Sequence, residues 1–233
     1  NLFFFFFILA RGFDFPHNGL YVEYKFELPS QFTLMENENE IKSTNICYSK
    51  EVISVTYFSH IFSASIKNTE NPFDAKFFLP RLLFRVCADG YWGKFYVDGY
   101  AELSLPTYPG RHKFLVDCWR PINSKDRQSK LFDYFIGQAV DLKSIDCCGI
   151  NQTINSEKLR MSRIGIETET SGQLEIIIDC ALQGYEYLSK EILQQIKYGK
   201  MMNRIGIHSN IHWHILRVLL EFEEAKKLKI FII

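Results

Sequence analysis

Apolar and polar residues alternate with a period of two through several segments of this 233-residue chain. In residues 20–28, large apolar side chains occupy every second position, and Glu or Lys separates most of them. Residues 99–121 show the same alternation on both sides of a turn that contains Pro106, Pro109 and Gly110. This pattern predicts antiparallel β-strands with one buried face. The prolines end the strands because they fix the backbone and remove hydrogen-bond donors.

Further segments also predict strands. Residues 52–66 are rich in β-branched and aromatic residues, and residues 82–88 carry apolar residues at alternate positions. Residues 160–182 predict a closing hairpin with its turn at Ser171 and Gly172. Ile177 falls on the outward side of that hairpin, which hints that a second surface is covered.

The opening run of phenylalanines, residues 2–10, resembles a targeting or membrane segment at first sight. It is about half as long as the roughly 20 apolar residues that a spanning helix needs. It also lacks a basic run before it and a small-residue cleavage site after it. We therefore expect a buried first strand.

The C-terminal part has helical composition. Ile211, Ile215, Val218 and Phe222 share one face of a predicted helix that follows a cap at Ser209 or Asn210. The sequence thus predicts a β-domain over residues 1–183 and a helical extension over residues 184–233. Because the first residue is Asn and not Met, we expect the chain to be a fragment of a longer protein.

Composition narrows the classes of function. The chain has 27 basic and 27 acidic residues, so its overall charge does not favour nucleic acid as a partner. Its six cysteines lack the spacing of a zinc site, and we expect them to be reduced, structural thiols, as in a cytosolic protein. We find no catalytic motif, and we predict neither an enzyme nor a bound cofactor.

Two features are candidates for binding a partner or an anionic lipid. One is a basic cluster that consists of Arg120, Lys125, Arg127 and Lys130. The other is a loop tip that carries Tyr91 and Trp92 between glycines. A solvated loop or helix face is the plainer interpretation of the cluster, and a packed loop is the plainer interpretation of the tip.

Three segments together resemble the B9 domain of cilium-associated proteins. They are GYAELSLPTYPG followed by an alternating strand that ends in WRP (residues 99–121), DYFIGQAVDL (133–142) and RIGIETETSG (163–172). The similarity also includes residues 20–29 and covers most of the chain. No single segment is a common linear motif, so the resemblance depends on their combination.

The resemblance implies a mainly β fold, namely an antiparallel β-sandwich of C2 type. It also implies a structural role in the ciliary transition zone and basal body, in cilium assembly and in the gating of ciliary membrane content. The partners would be other B9-domain proteins and tectonic-type members of the transition-zone complex. The expected location is the cytoplasm, the cytoskeleton and the base of the cilium. The alternative is a peripheral C2-like module that binds phospholipid.

Calcium is the metal that a C2-type fold brings into question. C2 domains that bind Ca²⁺ do so through several carboxylates in the loops at one end of the sandwich, because the ion requires six to eight oxygen ligands. In the corresponding loops this chain offers Asp14 and Asp89, with Asn18 as a neutral ligand. His208, His212 and His214 do not share a helix face. We therefore expect no metal site and no functional role for Ca²⁺.

Overall fold

The computed structural model describes residues 2–29, 32–35, 40–49, 54–68, 80–90, 93–122, 141–148 and 166–184, with residues 128, 131, 135, 218, 221 and 222. Nine strands and one short 3₁₀ helix lie in these ranges. The strands are β1 (Leu2–Phe13), β2 (Leu20–Glu27), β3 (Phe32–Leu34), β4 (Lys42–Ser43), β5 (Val55–Asn68), β6 (Arg81–Asp89), β7 (Phe95–Ser104), β8 (Gly110–Pro121) and β9 (Thr168–Leu182). The 3₁₀ helix is Ile145–Cys148.

The nine strands form one antiparallel sheet in the order β3-β5-β1-β9-β8-β7-β6-β2-β4. Along most of the sheet the ladders are long, but β7 and β8 pair only at Tyr100 and Trp119. This single pair joins a first half, β3-β5-β1-β9-β8, to a second half, β7-β6-β2-β4. The sheet curls at this junction, so that the inner faces of the two halves pack on each other.

The core between the two halves is rich in aromatic residues. Phe3, Phe5, Phe7 and Leu9 alternate along β1 and are buried against residues of β2 and β6. The ring of Phe7 lies 5.6 Å from that of Phe26 on β2, so the contact crosses from one half to the other. Burial of such side chains is the main favourable contribution to folding, at about 1.5–3 kcal/mol each.

Several predictions of strand position and face are confirmed. The opening phenylalanine run is a strand with a buried face. The alternation of β2 and of the Leu82, Phe84, Val86 and Ala88 series in β6 gives the core face as expected. On β8, Phe114 and Val116 pack against the core, whereas Leu115 is exposed.

The predicted turn at Ser171 and Gly172 is wrong. Both residues lie inside β9, which runs without interruption from Thr168 to Leu182. The register between β8 and β9 shifts at this point, so the two residues mark a β-bulge instead of a hairpin turn. A Cβ atom on Gly172 would lie 2.2 Å from the backbone oxygen of Phe13. The glycine is therefore required by the close approach of β1.

The predicted C-terminal extension lies almost entirely outside the described residues. Val218, Glu221 and Phe222 are described as helical and exposed, but they make no element of their own. The helix predicted after residue 210 therefore stays a prediction, and so does the boundary between residues 183 and 184. Within the part of the chain that the structure describes, no helix is long and apolar enough to span a membrane.

The bulge generates a stability prediction. Gly172→Ala should lower the free energy of unfolding by about 1–3 kcal/mol or more, because the added methyl group overlaps the backbone of β1. Urea denaturation followed by far-UV circular dichroism measures this change. Gly184→Ala is the control: Gly184 has a φ of 75° and nothing within 4 Å of the added Cβ, so its cost should be only the left-handed strain of about 1 kcal/mol. Equal losses in both variants would contradict the account.

Candidate interaction surfaces

The outer face of the second half of the sheet is covered by another part of the chain. Residues 141–148, which include the 3₁₀ helix, pack on β6 and β7 and form a second apolar cluster. The buried members of this cluster are Leu83, Val97, Tyr100, Trp119, Ile145 and Cys148. Trp119 therefore lies on the outward side of β8, as its position in the alternation predicts, and is nevertheless buried.

Polar contacts hold this covering segment in place. The hydroxyl of Tyr100 donates to Asp141 and accepts a bond of 3.1 Å from the backbone N–H of Leu142. Burial raises the pKa of Tyr100, which keeps its hydroxyl protonated as the donor. Arg85 pairs with Glu23 at 2.6 Å and with Asp141 at 3.3 Å. The outer face of the second half is consequently shielded from partners at this position.

The outer face of the first half carries a patch of large apolar side chains, for which the described residues provide no comparable cover. Ile61, Ile8 and Ile177 lie in register across β5, β1 and β9. Around them Phe6 is 55% exposed, Ile61 69% and Leu115 58%. We call this patch the apolar face; it comprises Phe4, Phe6, Ile8, Tyr57, Ile61, Leu115 and Ile177.

Charges on the same side of the sheet are neutralised within the sheet itself. Glu175 is buried and pairs with both Arg11 and Lys113. Hydrogen bonds from Arg11, and then from Lys113, lower the pKa of Glu175 to about 2. Arg111 faces Asp179 at 3.6 Å. Each of these cations has a carboxylate partner, so the apolar face has little charge with which to attract an anionic surface.

The loops at one end of the sandwich contain the residues considered for calcium. The carboxylate of Asp14 accepts a bond of 2.8 Å from the hydroxyl of Ser54. The side-chain oxygen of Asn18 accepts bonds from the backbone N–H of Gly19 at 2.9 Å and of Ser49 at 2.7 Å. Both oxygens thus already hold their own loops together. Asp89 is exposed at the end of β6.

No cluster of three or more His, Cys, Asp or Glu side chains suited to a metal occurs among the described residues. His208, His212 and His214 lie outside them. The expectation that Ca²⁺ plays no role stays a prediction.

Asp98, near the same loops, has a role that the sequence analysis missed. Its carboxylate is fully buried and lies 2.6 Å from Nδ1 of His17. It also accepts a bond of 3.2 Å from the backbone N–H of His17, whose ring stacks on Tyr96 at 4.1 Å. An Asp within an otherwise apolar strand segment is the sequence signal that could have indicated a buried polar contact. The pair anchors the loop between β1 and β2 to β7.

The residues predicted for lipid or partner contact are only partly described. Arg120 lies on β8 and pairs with Glu169 of β9, so it is part of the sheet's internal ion pairing. Lys125, Arg127, Lys130, Tyr91 and Trp92 lie outside the described residues, and their role stays a prediction.

Comparison with known proteins places the chain in a family. A family model described as "ciliary basal body-associated, B9 protein" (B9-C2) matches residues 3–181, which is more than half of the chain and includes β1 to most of β9. The chain belongs to this B9 family. The expectation from the resemblance of residues 99–121, 133–142 and 163–172 is confirmed, since all three segments lie within the match.

Curated relatives include two kinds of B9 protein. Tectonic-like complex member MKS1 from Homo sapiens is 27% identical over 228 residues, and that from Mus musculus is 28% identical over 225 residues; each alignment covers 94% of this chain. B9 domain-containing protein 2 from Danio rerio is 27% identical over 89 residues, which are 38% of this chain and 47% of that protein. The chain spans 39% of the length of the MKS1 relatives.

Among solved structures, a C2 domain of a plant extended synaptotagmin 1 covers 75% of this chain and 91% of its own, at 11% identity and a TM-score of 0.36. At that score, the similarity carries no argument about this B9 chain. The C2 character is supported by the name of the family model and by the curled antiparallel sheet.

The ion pairs of Glu175 lead to a prediction about pH. Because its pKa in the folded state is lowered to about 2, Glu175 stabilises the fold above its ordinary pKa of 4.5, and this contribution disappears as the pH falls towards 2. Glu175→Gln should therefore lower the free energy of unfolding by about 1–3 kcal/mol at neutral pH. Near pH 2 the variant and the wild type should converge.

The measurement is a series of urea denaturations between pH 2 and pH 7. Glu40→Gln is the control, because Glu40 is exposed, and it should change stability little at any pH. A Glu175→Gln penalty that persists unchanged at pH 2 would show that the carboxylate is not stabilised by Arg11 and Lys113.

Proposed function

We propose that the chain is a non-catalytic, structural component of the protein assembly at the ciliary basal body and transition zone. In this role it contributes to cilium assembly and to the gating of ciliary membrane content. Its partners are other B9-domain proteins and tectonic-type members of the complex. The observation that carries the proposal is the family match over residues 3–181.

The names of the relatives support the same role. MKS1 is named as a member of a tectonic-like complex, and the match includes 94% of this chain. B9 domain-containing protein 2 belongs to the same domain family. Since the chain spans 39% of MKS1, the proposal concerns the assembly function of the B9 domain and not the activities of the whole relative.

The surface of the sheet suits binding to protein better than binding to lipid. The apolar face is built on regular strands, and its exposed side chains are aromatic or branched, which is typical of the buried centre of protein interfaces. The cations beside it, Arg11 and Lys113, are paired with Glu175. Attraction to anionic headgroups requires basic side chains that are free of such partners. We therefore place the contact with protein partners on the apolar face.

A paired substitution tests the proposal. Phe6→Lys puts a charge in the middle of the apolar face, where it would have to be desolvated in a protein interface. Tyr108→Lys is the matched control, because Tyr108 is also an exposed aromatic residue but lies in the turn between β7 and β8. Tagged forms are expressed in ciliated cells, located by microscopy and purified at low and high salt without membranes.

We expect the wild type and Tyr108→Lys to reach the base of the cilium and to co-purify with B9-domain proteins at both salt concentrations. Phe6→Lys should fold normally by thermal melt and lose these partners. A wild type that stays diffuse and recovers no B9 partner would contradict the proposed function. Binding that depends on membranes and disappears at high salt would favour the phospholipid alternative.

A further inference from the structure

The two edges of the sheet are protected to different extents. At one end, β2 is followed by β4 and carries Glu23, Lys25 and Glu27 along its length. Backbone bonds from Thr44 to Val22 and between Leu20 and Cys47 extend its cover. Charged side chains on an edge strand are a common means of preventing another chain from pairing with it.

The other end is open along most of β5. The short strand β3 pairs only with Ile66, Lys67 and Asn68, and the N–H of Met35 reaches the carbonyl of Ser65. For residues 55–64, no strand partner on that side occurs in the described part of the chain. We call this segment the open edge of β5. Its outward backbone N–H and C=O groups form a template for another strand.

The composition of the open edge offers no protection against pairing. Between Val55 and Ile66 the strand contains no Lys, Arg, Asp or Glu. Its one titratable imidazole, His60, lies 3.2 Å from the hydroxyl of Tyr24, and burial lowers its pKa, which favours the neutral form. A long, uncharged edge strand tends to pair with other chains unless it is covered.

Both sides of the open edge are apolar. On the outer side, Ile61 continues the apolar face towards the edge. On the inner side, Phe62 is only half-buried, although it stacks on Phe7 at 4.7 Å and on Tyr24 at 4.1 Å. The main core therefore extends to the edge. A strand added here would cover both sides, and its own side chains would have to be apolar on both.

The backbone limits where such a strand fits. Ser59 has a φ of 45°, and the register between β1 and β5 shifts beside it. This bulge leaves residues 60–64 as the regular part of the open edge. Two copies of the chain, paired antiparallel about Phe62, would place Ile61 opposite Ser63. A different segment with apolar residues at both positions matches the edge better than a second copy does.

We propose that the open edge of β5 binds an extended, uncharged segment of another polypeptide, which joins the sheet as an additional strand. The hydrogen bonds come from the backbone of residues 60–64, and the apolar contacts come from Ile61 and Phe62. This inference rests on the proposed function, because it identifies the part of the B9 domain through which a partner is held. It differs from docking on the apolar face alone in that it requires backbone pairing.

Amide hydrogen exchange distinguishes backbone pairing from contact between side chains. The tagged chain is studied alone and in whatever complex it forms in ciliated cells, and exchange is measured by mass spectrometry over β5. In the isolated chain, the outward amides of residues 60–64 should exchange fast. In the complex they should become slow, while the central strand β9 is protected in both states.

A matched pair of variants connects this protection to the edge. Ile61→Lys places a charge on the open edge, and Ile46→Lys places one on a comparably exposed isoleucine near the opposite edge; the two native side chains are 69% and 45% exposed. Ile61→Lys should abolish both the complex and the slow exchange of β5. Ile46→Lys should preserve them. Thermal melts verify that both variants fold.

Four results would overturn the inference. They are slow exchange throughout β5 in the isolated monomer, a chain that is recovered alone from cells, unchanged β5 exchange in the complex, and slow exchange that arises only from self-association of the purified chain. The identity of the partner is a separate matter. Slow β5 exchange in a complex without B9-domain proteins would support the open edge and contradict the proposed function, whereas a B9 complex with unchanged β5 would do the reverse.

Discussion

The architecture depends on the burial of one aromatic core between two halves of a single sheet. The halves are connected by one strand pair, Tyr100 with Trp119, and the sheet curls at this junction. The close approach of β7 and β8 requires a glycine, since a Cβ on Gly99 would lie 2.9 Å from that of Cys118. Because the ladder is so short here, packing of the phenylalanines of β1 against β2 and β6 must hold the two halves together.

The same curl gives the domain two outer faces with different surroundings. The second half is covered by residues 141–148, which are held by Tyr100 and Arg85. The first half presents apolar side chains whose neighbouring charges, such as Glu175, are already paired within the sheet. Exposed apolar patches of this kind mark interaction sites in soluble proteins. A structural role in an assembly follows more directly from this asymmetry than from the loops or the basic segment.

Much of the fold was predictable because strands with one buried face alternate strictly. The core faces of β1, β2, β6 and β8 could be assigned from that pattern. The bulge at Ser171 and Gly172 was mistaken for a turn, because a glycine needed for close approach has the same appearance in the sequence as one needed for a turn. The pairs His17–Asp98 and Arg120–Glu169 join distant residues, and no local pattern specifies them. Ile177 was the one residue that indicated the apolar face.

Carbene footprinting of side chains tests the central claim most directly, namely that the apolar face is where this B9 domain meets its partners. Labelling of Phe6 and Leu115 is compared between the isolated chain and the complex purified from ciliated cells, with Tyr108 as an exposed reference. The account predicts that labelling of Phe6 and Leu115 falls severalfold in the complex, while Tyr108 is unchanged. Unchanged labelling of the apolar face, with protection confined to the loops or the basic segment, would contradict it.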